Sequence, residues 1–209
     1  MIIEGYKNTL ESVNNKDREL TIEAALDCDS GLKNIEKAAN SSPYDILLID
    51  VKLPPSADGS ITSGEELAIR AKKLLPKVKV MIITMFSESH RIHSILKNVD
   101  PDGFLIKSDL TPDELLIALK KILNNSSYYT QTVNAYLRKR IQNNVHFDEK
   151  SLKILDCIAK GVKTKNLPRH VNLSLSAIER RKNRIKEVFG IEGGDNEDLL
   201  KEARKRGFI

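Results

Sequence analysis

Apolar residues follow two patterns along this chain. Over residues 1–123, unbroken apolar runs alternate with segments of helical spacing. Ile46-Leu47-Leu48-Ile49 runs into Asp50, and Pro54-Pro55 follows closely. Such a run predicts a strand buried on both faces, as in a parallel sheet. Val78 to Thr84 and Gly103 to Lys107 predict two more strands, and Leu20 to Ala25 alternates as another. Between them, Ile3, Tyr6, Leu10 and Val13 recur at helical spacing until Asn14-Asn15-Lys16-Asp17 breaks the pattern. Further helices are predicted from a cap at Asp29-Ser30 to Ala39, over 65–75, over 88–98, and from Thr111 to Leu123. The last has a capping threonine ahead of Pro112. Strands alternating with helices predict a doubly wound, parallel-sheet α/β domain.

Right-handed crossovers place all strand C-termini on one edge. Asp50, Thr84 and Lys107, each at or near a strand end, should therefore converge where open α/β sheets carry their chemistry. A carboxylate, a hydroxyl and an ammonium together suit phosphoryl transfer to carboxylate. Asp50 would be the nucleophile and form an acyl phosphate. Lys107 would serve as a point charge, and Thr84 would bond a phosphoryl oxygen. Taken alone, Asp50 also reads as a strand-terminal turn residue.

Beyond residue 123 the pattern is helical only. Asn124 to Tyr129 is polar and turn-like, with Tyr128-Tyr129 as linker packing. Val133, Tyr136, Leu137 and Ile141 predict a linking helix over 130–143 with Arg138-Lys139-Arg140 exposed, and Asn143-Asn144 breaks it. Residues 148–209 predict a small all-α domain of four short helices. These cover 151–160 (closed by Gly161), about 165–171 (interrupted by Pro168), 176–189 (closed by Gly190) and about 196–206. On the third, Ile178, Ile185, Val188 and Phe189 share one face. Arg180 and Asn183 lie opposite, flanked by Lys182, Arg184 and Lys186. A basic outer face after a short helix and a turn suits the major groove of double-stranded DNA. Arg can pair with guanine there, and Asn with adenine. A solvated basic helix of a protein-binding bundle is the alternative.

Charge sharpens this division. With His neutral, residues 1–123 carry a net −3, residues 124–147 +3 and residues 148–209 +5. An acidic front and a basic back imply two tasks, the second with a polyanion. The 209 residues suffice for two small cores. No apolar run reaches membrane-span length, and Met1-Ile2-Ile3 meets Glu4 without a signal peptide, so a cytoplasmic protein is expected. Cys28 and Cys157 fit no metal spacing and are expected as buried free thiols. His90 and His93 sit three apart on a predicted helix without a completing cluster, and are expected as solvated surface histidines rather than metal ligands. No Gly-rich phosphate loop and no nucleophile elbow is present, which argues against an enzyme.

Asp50 after an apolar strand, Thr84 ending the next, and Gly103-Phe104-Leu105-Ile106-Lys107 resemble the receiver domain of two-component response regulators over residues 1–123. The resemblance implies that Asp50 accepts a phosphoryl group from a sensor histidine kinase. It implies a switch pair of Thr84 and Phe104, in which the aromatic rotates inward as the hydroxyl moves, and a responsive surface from Ser87 to Leu123. It also implies Mg2+, with Asp50 among its ligands. Receivers open with a strand ending in an acidic, Mg2+-binding pair, whereas this sequence begins in what corresponds to the first helix. The resemblance thus implies a flavodoxin-like fold without its first strand and acidic pair, and a shortened copy or an internal start at Met1 is expected over a natural variant. The loop 54–64 is longer than usual, and Ser108 stands where many receivers carry proline.

Leu173-Ser174, Ile178, Arg181, Ile185, Gly190-Ile191 and Arg206-Gly207-Phe208-Ile209 resemble the LuxR-type helix-turn-helix over 148–209. That likeness implies a recognition helix from Ser176 to Phe189 and a fourth helix that pairs two copies as a homodimer. It implies DNA contacts from Thr164, Lys165, Ser174, Ser176, Glu179, Arg180, Asn183, Arg184 and Lys186, with Glu179 standing where the family usually has lysine. The two halves together imply a phosphorylation-responsive DNA-binding transcription regulator, with domains 1–123 and 148–209 joined by 124–147. The alternative is a phosphorylation-independent pseudo-receiver regulator or protein-binding adaptor.

Overall fold

A computed structural model of the chain describes residues 2–12, 20–142 and 147–209. The elements in order are α1 (Ile2–Glu11), α2 (Cys28–Ala39), β1 (Ile46–Asp50), α3 (Gly64–Leu74), β2 (Lys79–Thr84), α4 (Ser89–Asn98), β3 (Gly103–Ile106), α5 (Pro112–Leu123), β4 (Tyr128–Tyr129), α6 (Gln131–Gln142), α7 (Glu149–Ala159), α8 (Pro168–Val171), α9 (Leu175–Phe189) and α10 (Asn196–Lys205). They form two compact units, Met1–Met85 with Ile95–Val133, and Phe86–Ser94 with Asn134–Ile209. The expected breaks at Asn14-Asn15-Lys16-Asp17 and Asn143-Asn144 lie outside the described residues, as do Val13 and the side chains of Ile3 and Ile141.

The first unit is built on one sheet of order β1-β2-β3-β4, parallel throughout. Met81, Ile83 and Leu105 of the sheet pack on Leu115, Ala118 and Ile122 of α5, and Tyr6 and Leu10 of α1 lean on the same cluster. Helix starts follow local chemistry. The Thr111 hydroxyl accepts the Glu114 N–H at 3.2 Å, as its position before Pro112 predicts. Asp27, not Asp29, caps α2: its Oδ1 accepts the Ser30 N–H at 2.8 Å, and the Ser30 hydroxyl completes a capping box.

Three expectations change here. Leu20 to Ala25 is not a strand. Among the described residues the sheet ends at β1, so no strand stands there for that segment to bond, and a strand without a partner leaves backbone groups unsatisfied. For the same reason β1 is an edge strand with Ile46, Leu47 and Leu48 half-buried, not a strand covered on both faces. An apolar run cannot distinguish these two places. Tyr128-Tyr129, expected as linker packing, forms the opposite edge strand and pairs with Gly103-Phe104. Two residues are too short to show a period.

The second unit closes over Leu152, Ile154, Leu155, Ile178, Ile185 and Leu199, with the rings of Phe147, Phe189 and Phe208 at 4.9–5.6 Å from one another. Gly161 (φ +81°) and Gly190 (φ +71°) take the left-handed conformation that stops α7 and α9. Pro168 does not interrupt a helix. It is the first residue of α8, where its missing N–H costs nothing. Cys28 and Cys157 are free and buried, as expected.

Candidate functional site

In the first unit, strand register pairs Asp50 with Ile83 and Thr84 with Ile106, so the ends of β1, β2 and β3 lie side by side. Lys107 follows β3 directly, in a 3-10 turn over Lys107–Asp109. Its Nζ donates to Asp50 Oδ2 at 2.6 Å, while the Lys52 N–H donates to Oδ1 at 3.0 Å. The Asp50 side chain is 28% exposed and that of Lys107 17%. Partial burial strengthens their attraction over that in bulk water and leaves the carboxylate reachable. Thr84 and Phe104 are fully buried. Because Ile82 pairs with Phe104, side-chain alternation puts the ring and Thr84 on one face of the sheet.

Two residues that the sequence pattern does not single out also shape this site. Tyr6 of α1 carries a phenol that burial pushes up in pKa, with the Lys107 charge acting against this and the Asp50 charge adding to it. Its helical period marked it only as core. Gly64 opens α3 against the end of β1, and a Cβ there would stand 1.9 Å from the Asp50 carbonyl oxygen. Its N–H donates to the Val51 carbonyl at 3.1 Å. A glycine at the first position of a helix is the available signal for such a close approach. The loop after Pro54 is held to the start of α2, by Cys28 N–H on the Pro54 carbonyl (3.0 Å) and Ala57 N–H on Asp29 Oδ2 (2.8 Å). Within that loop the Ser56 hydroxyl and the Ser60 N–H hold the Asp58 carboxyl down at about 2.

Among the described residues no three His, Cys, Asp or Glu side chains gather as a metal site requires. Both Asp50 oxygens are engaged, one by an ammonium and one by a backbone N–H. A hard divalent cation needs several oxygen ligands, carboxylates foremost. The described residues do not fit the Mg2+ site that the receiver likeness implies.

In the second unit, α9 is capped by the Ser174 hydroxyl, which accepts the Ala177 N–H at 3.2 Å and pairs with the Ser176 hydroxyl at 3.1 Å. Ser174, Ser176, Arg180, Asn183 and Arg184 are exposed on one side, and Arg184 pairs with Glu187 at 3.4 Å. Lys165 is exposed in the 3-10 turn Thr164–Asn166. Lys186 donates to the Gly194 carbonyl. Lys182 is not part of the exposed basic face. It is 7% exposed, and Nζ donates to Glu179 Oε2 and to Thr164 Oγ1, both at 3.3 Å. The signal was available, because 182 stands four residues after Ile178 and three before Ile185, on the buried stripe. Arg181 turns to Asp148, at 2.6 Å.

His90 and His93 are not solvated surface residues. His90 is 7% exposed, and its Nδ1 lies 3.8 Å from Asp156 Oδ2 with no hydrogen-bond partner among the described residues. Burial lowers its pKa, and Asp156 and Glu88 act against this. Lys160 bridges Glu88 (3.2 Å) and Asp156 (2.9 Å). His93 meets Arg140, which also donates to the Tyr136 hydroxyl at 2.9 Å, so Arg140 is drawn off the exposed face expected for it.

No protein-family model matches the chain. The oxygen regulatory protein NreC of Staphylococcus aureus (strain JH9) is 26% identical over 192 residues, covering 86% of this chain and 83% of NreC. The two-component response regulator RcsB in complex with DNA has the same fold at 19% identity, with a TM-score of 0.61 over 97% of this chain and 92% of that one. RcsB from Salmonella enterica serovar Typhimurium, bound to the promoter P1flhDC with the phosphomimetic BeF3-, gives 0.62 at 19% identity, over 96% of this chain and 91% of that one. The chain is homologous to NreC and shares the architecture of the RcsB response regulators, a parallel-sheet receiver followed by a helix-turn-helix domain.

Proposed function

We propose that this chain is a DNA-binding transcription regulator whose activity responds to phosphorylation at Asp50. The observation that carries this reading is Lys107 Nζ at 2.6 Å from Asp50 Oδ2, on the C-terminal edge of a parallel sheet. RcsB, of like fold, has been captured on promoter DNA with a phosphomimetic, which supports the same reading. The donor would be a phosphohistidine of a sensor histidine kinase. An Asp50 oxygen attacks phosphorus, the P–N bond breaks, and the leaving imidazole nitrogen keeps the electron pair and takes a proton. Lys107 balances the charge that the phosphoryl group brings, roughly −1.5 to −2. Thr84 would bond a phosphoryl oxygen; Phe104, expected to rotate inward with it, already lies inside, fully buried on the same face of the sheet.

In this reading residues 1–123 are the receiver, 124–147 the linker and 148–209 the DNA-binding domain, in a cytoplasmic protein without an enzyme's turnover. Among the described residues no helix is long and apolar enough to cross a membrane. α10 would pair two copies, and Thr164, Lys165, Ser174, Ser176, Glu179, Arg180, Asn183, Arg184 and Lys186 would face duplex DNA.

The test is incubation with a labelled small-molecule phosphodonor and Mg2+, for the chain and for Asp50→Asn. Label on the wild type alone supports the reading, and label on neither removes the switch. A salt titration of DNA binding tests the other half, and a slope below about one phosphate contact counts against it. That no acidic cluster gathers among the described residues favours one second reading, a phosphorylation-independent regulator or adaptor. It predicts DNA or partner binding that the phosphodonor leaves unchanged.

A further inference from the structure

Lys182 is a charged residue on the buried stripe of α9, between Ile178 and Ile185. A buried ammonium is costly unless several acceptors surround it. Here it has two, Glu179 Oε2 one turn back along α9 and Thr164 Oγ1 in the turn before α8. The Asn196 side chain, at the start of α10, donates to the same Thr164 oxygen at 3.4 Å. A polar chain thus runs from α10 through Thr164 and Lys182 to one carboxylate. Glu179 ends this chain, its side chain 47% exposed, and Oε1 makes no hydrogen bond among the described residues.

An acid beside the exposed Arg180 and Asn183 opposes the approach of any phosphate. Its charge is acceptable against DNA only where a donor meets it, and the major-groove donors are the amines of cytosine N4 and adenine N6. Glu and Asp are acceptors for cytosine, whereas adenine's adjoining N7 acceptor suits an amide better. Lys182 leaves Glu179 an acceptor in a fixed position and offsets part of its charge from the inner side.

Resting on the DNA-binding reading above, we infer that Glu179 is a specificity-determining residue that selects cytosine in each half-site, and that Lys182 is its positioning residue. Selection from a randomised duplex library, run at low salt with the full chain, tests this. The chain is compared with Glu179→Ala, Glu179→Gln, Lys182→Met and Lys182→Arg. The wild type should enrich cytosine at one position by about tenfold, the worth of one good side-chain–base pair. Glu179→Ala should lose that preference, and Glu179→Gln should move it toward adenine. Lys182→Met should blunt it while the melting temperature holds, and Lys182→Arg should restore it. An unchanged preference in Glu179→Ala, or a gain in affinity equal for all sequences, overturns the inference and leaves DNA binding standing. A wild type that retains no duplex above background overturns the DNA-binding reading itself, and this inference falls with it.

Discussion

Lys107–Asp50 and Lys182–Glu179 are both lysine–carboxylate pairs, set in opposite kinds of frame. The first joins residues 57 apart in sequence, brought together by two parallel strands that share β2 between them. The second joins residues three apart on one helix. In the first, both partners sit at a sheet edge where a ligand can reach them. In the second, the lysine is withdrawn into the core and only the acid faces out. Sheet topology makes a site by convergence, with each member supplied by a different element. A helix makes one by periodicity, and the same period decides which charges are withheld from the surface.

The comparison can be broken most severely at its first half. Asp50→Asn should abolish label from a phosphodonor, since among the described residues Asp50 is the carboxylate that Lys107 holds. Lys107→Ala should slow labelling by about ten- to a hundredfold, as the loss of a charge-assisted bond of about 1.5–3 kcal/mol implies. Gly64→Val tests the backbone beneath the pair. Its Cβ would meet the Asp50 carbonyl oxygen, so unfolding of the first unit should become easier by about 3 kcal/mol, read by chemical denaturation.

The second unit should show a smaller effect of pH. His90 is held below its ordinary 6.5, chiefly by burial, with Arg91 and Lys153 adding to this and Asp156 and Glu88 opposing it. The unfolded chain then binds the extra proton first as pH falls. Stability should be unaffected above about 6.5 and decline below it toward the lowered folded value, and His90→Gln should flatten that decline in melts taken across this range. Smallest of all is the effect of Lys182→Met on folding. The apolar side chain of similar length removes the buried ammonium and leaves Glu179, its side chain 47% exposed, to be solvated by water, so the melting temperature should stay within a few degrees of wild type.

Much of this was legible along the chain. Asp50, Thr84 and Lys107 could be placed on one edge because strand–helix alternation and crossover handedness leave little choice. The capped helix from Thr111 and the stops at Gly161 and Gly190 depend on neighbours a few residues away. What failed depended on partners remote in sequence. Leu20 to Ala25 alternates as a strand should, but no strand lies beside it among the described residues, and Tyr128-Tyr129 pairs although it alternates too briefly to be seen. His90 carries a polar ring that sequence assigns to solvent, and packing within the second unit, of which 86–94 are part, buries it.

The sequence by itself thus determined most of the periodicities, the cap at Thr111, the stops at Gly161 and Gly190, and the residue types of both candidate sites, because these rest on local geometry and on residue type. Only the tertiary structure decided that β1 is an edge, that Asp50 already holds Lys107, and that Lys182 faces inward to Glu179. Pairing and burial are properties of what lies across a gap in space, and the cost of leaving a strand or a charge without a partner there outweighs local preference.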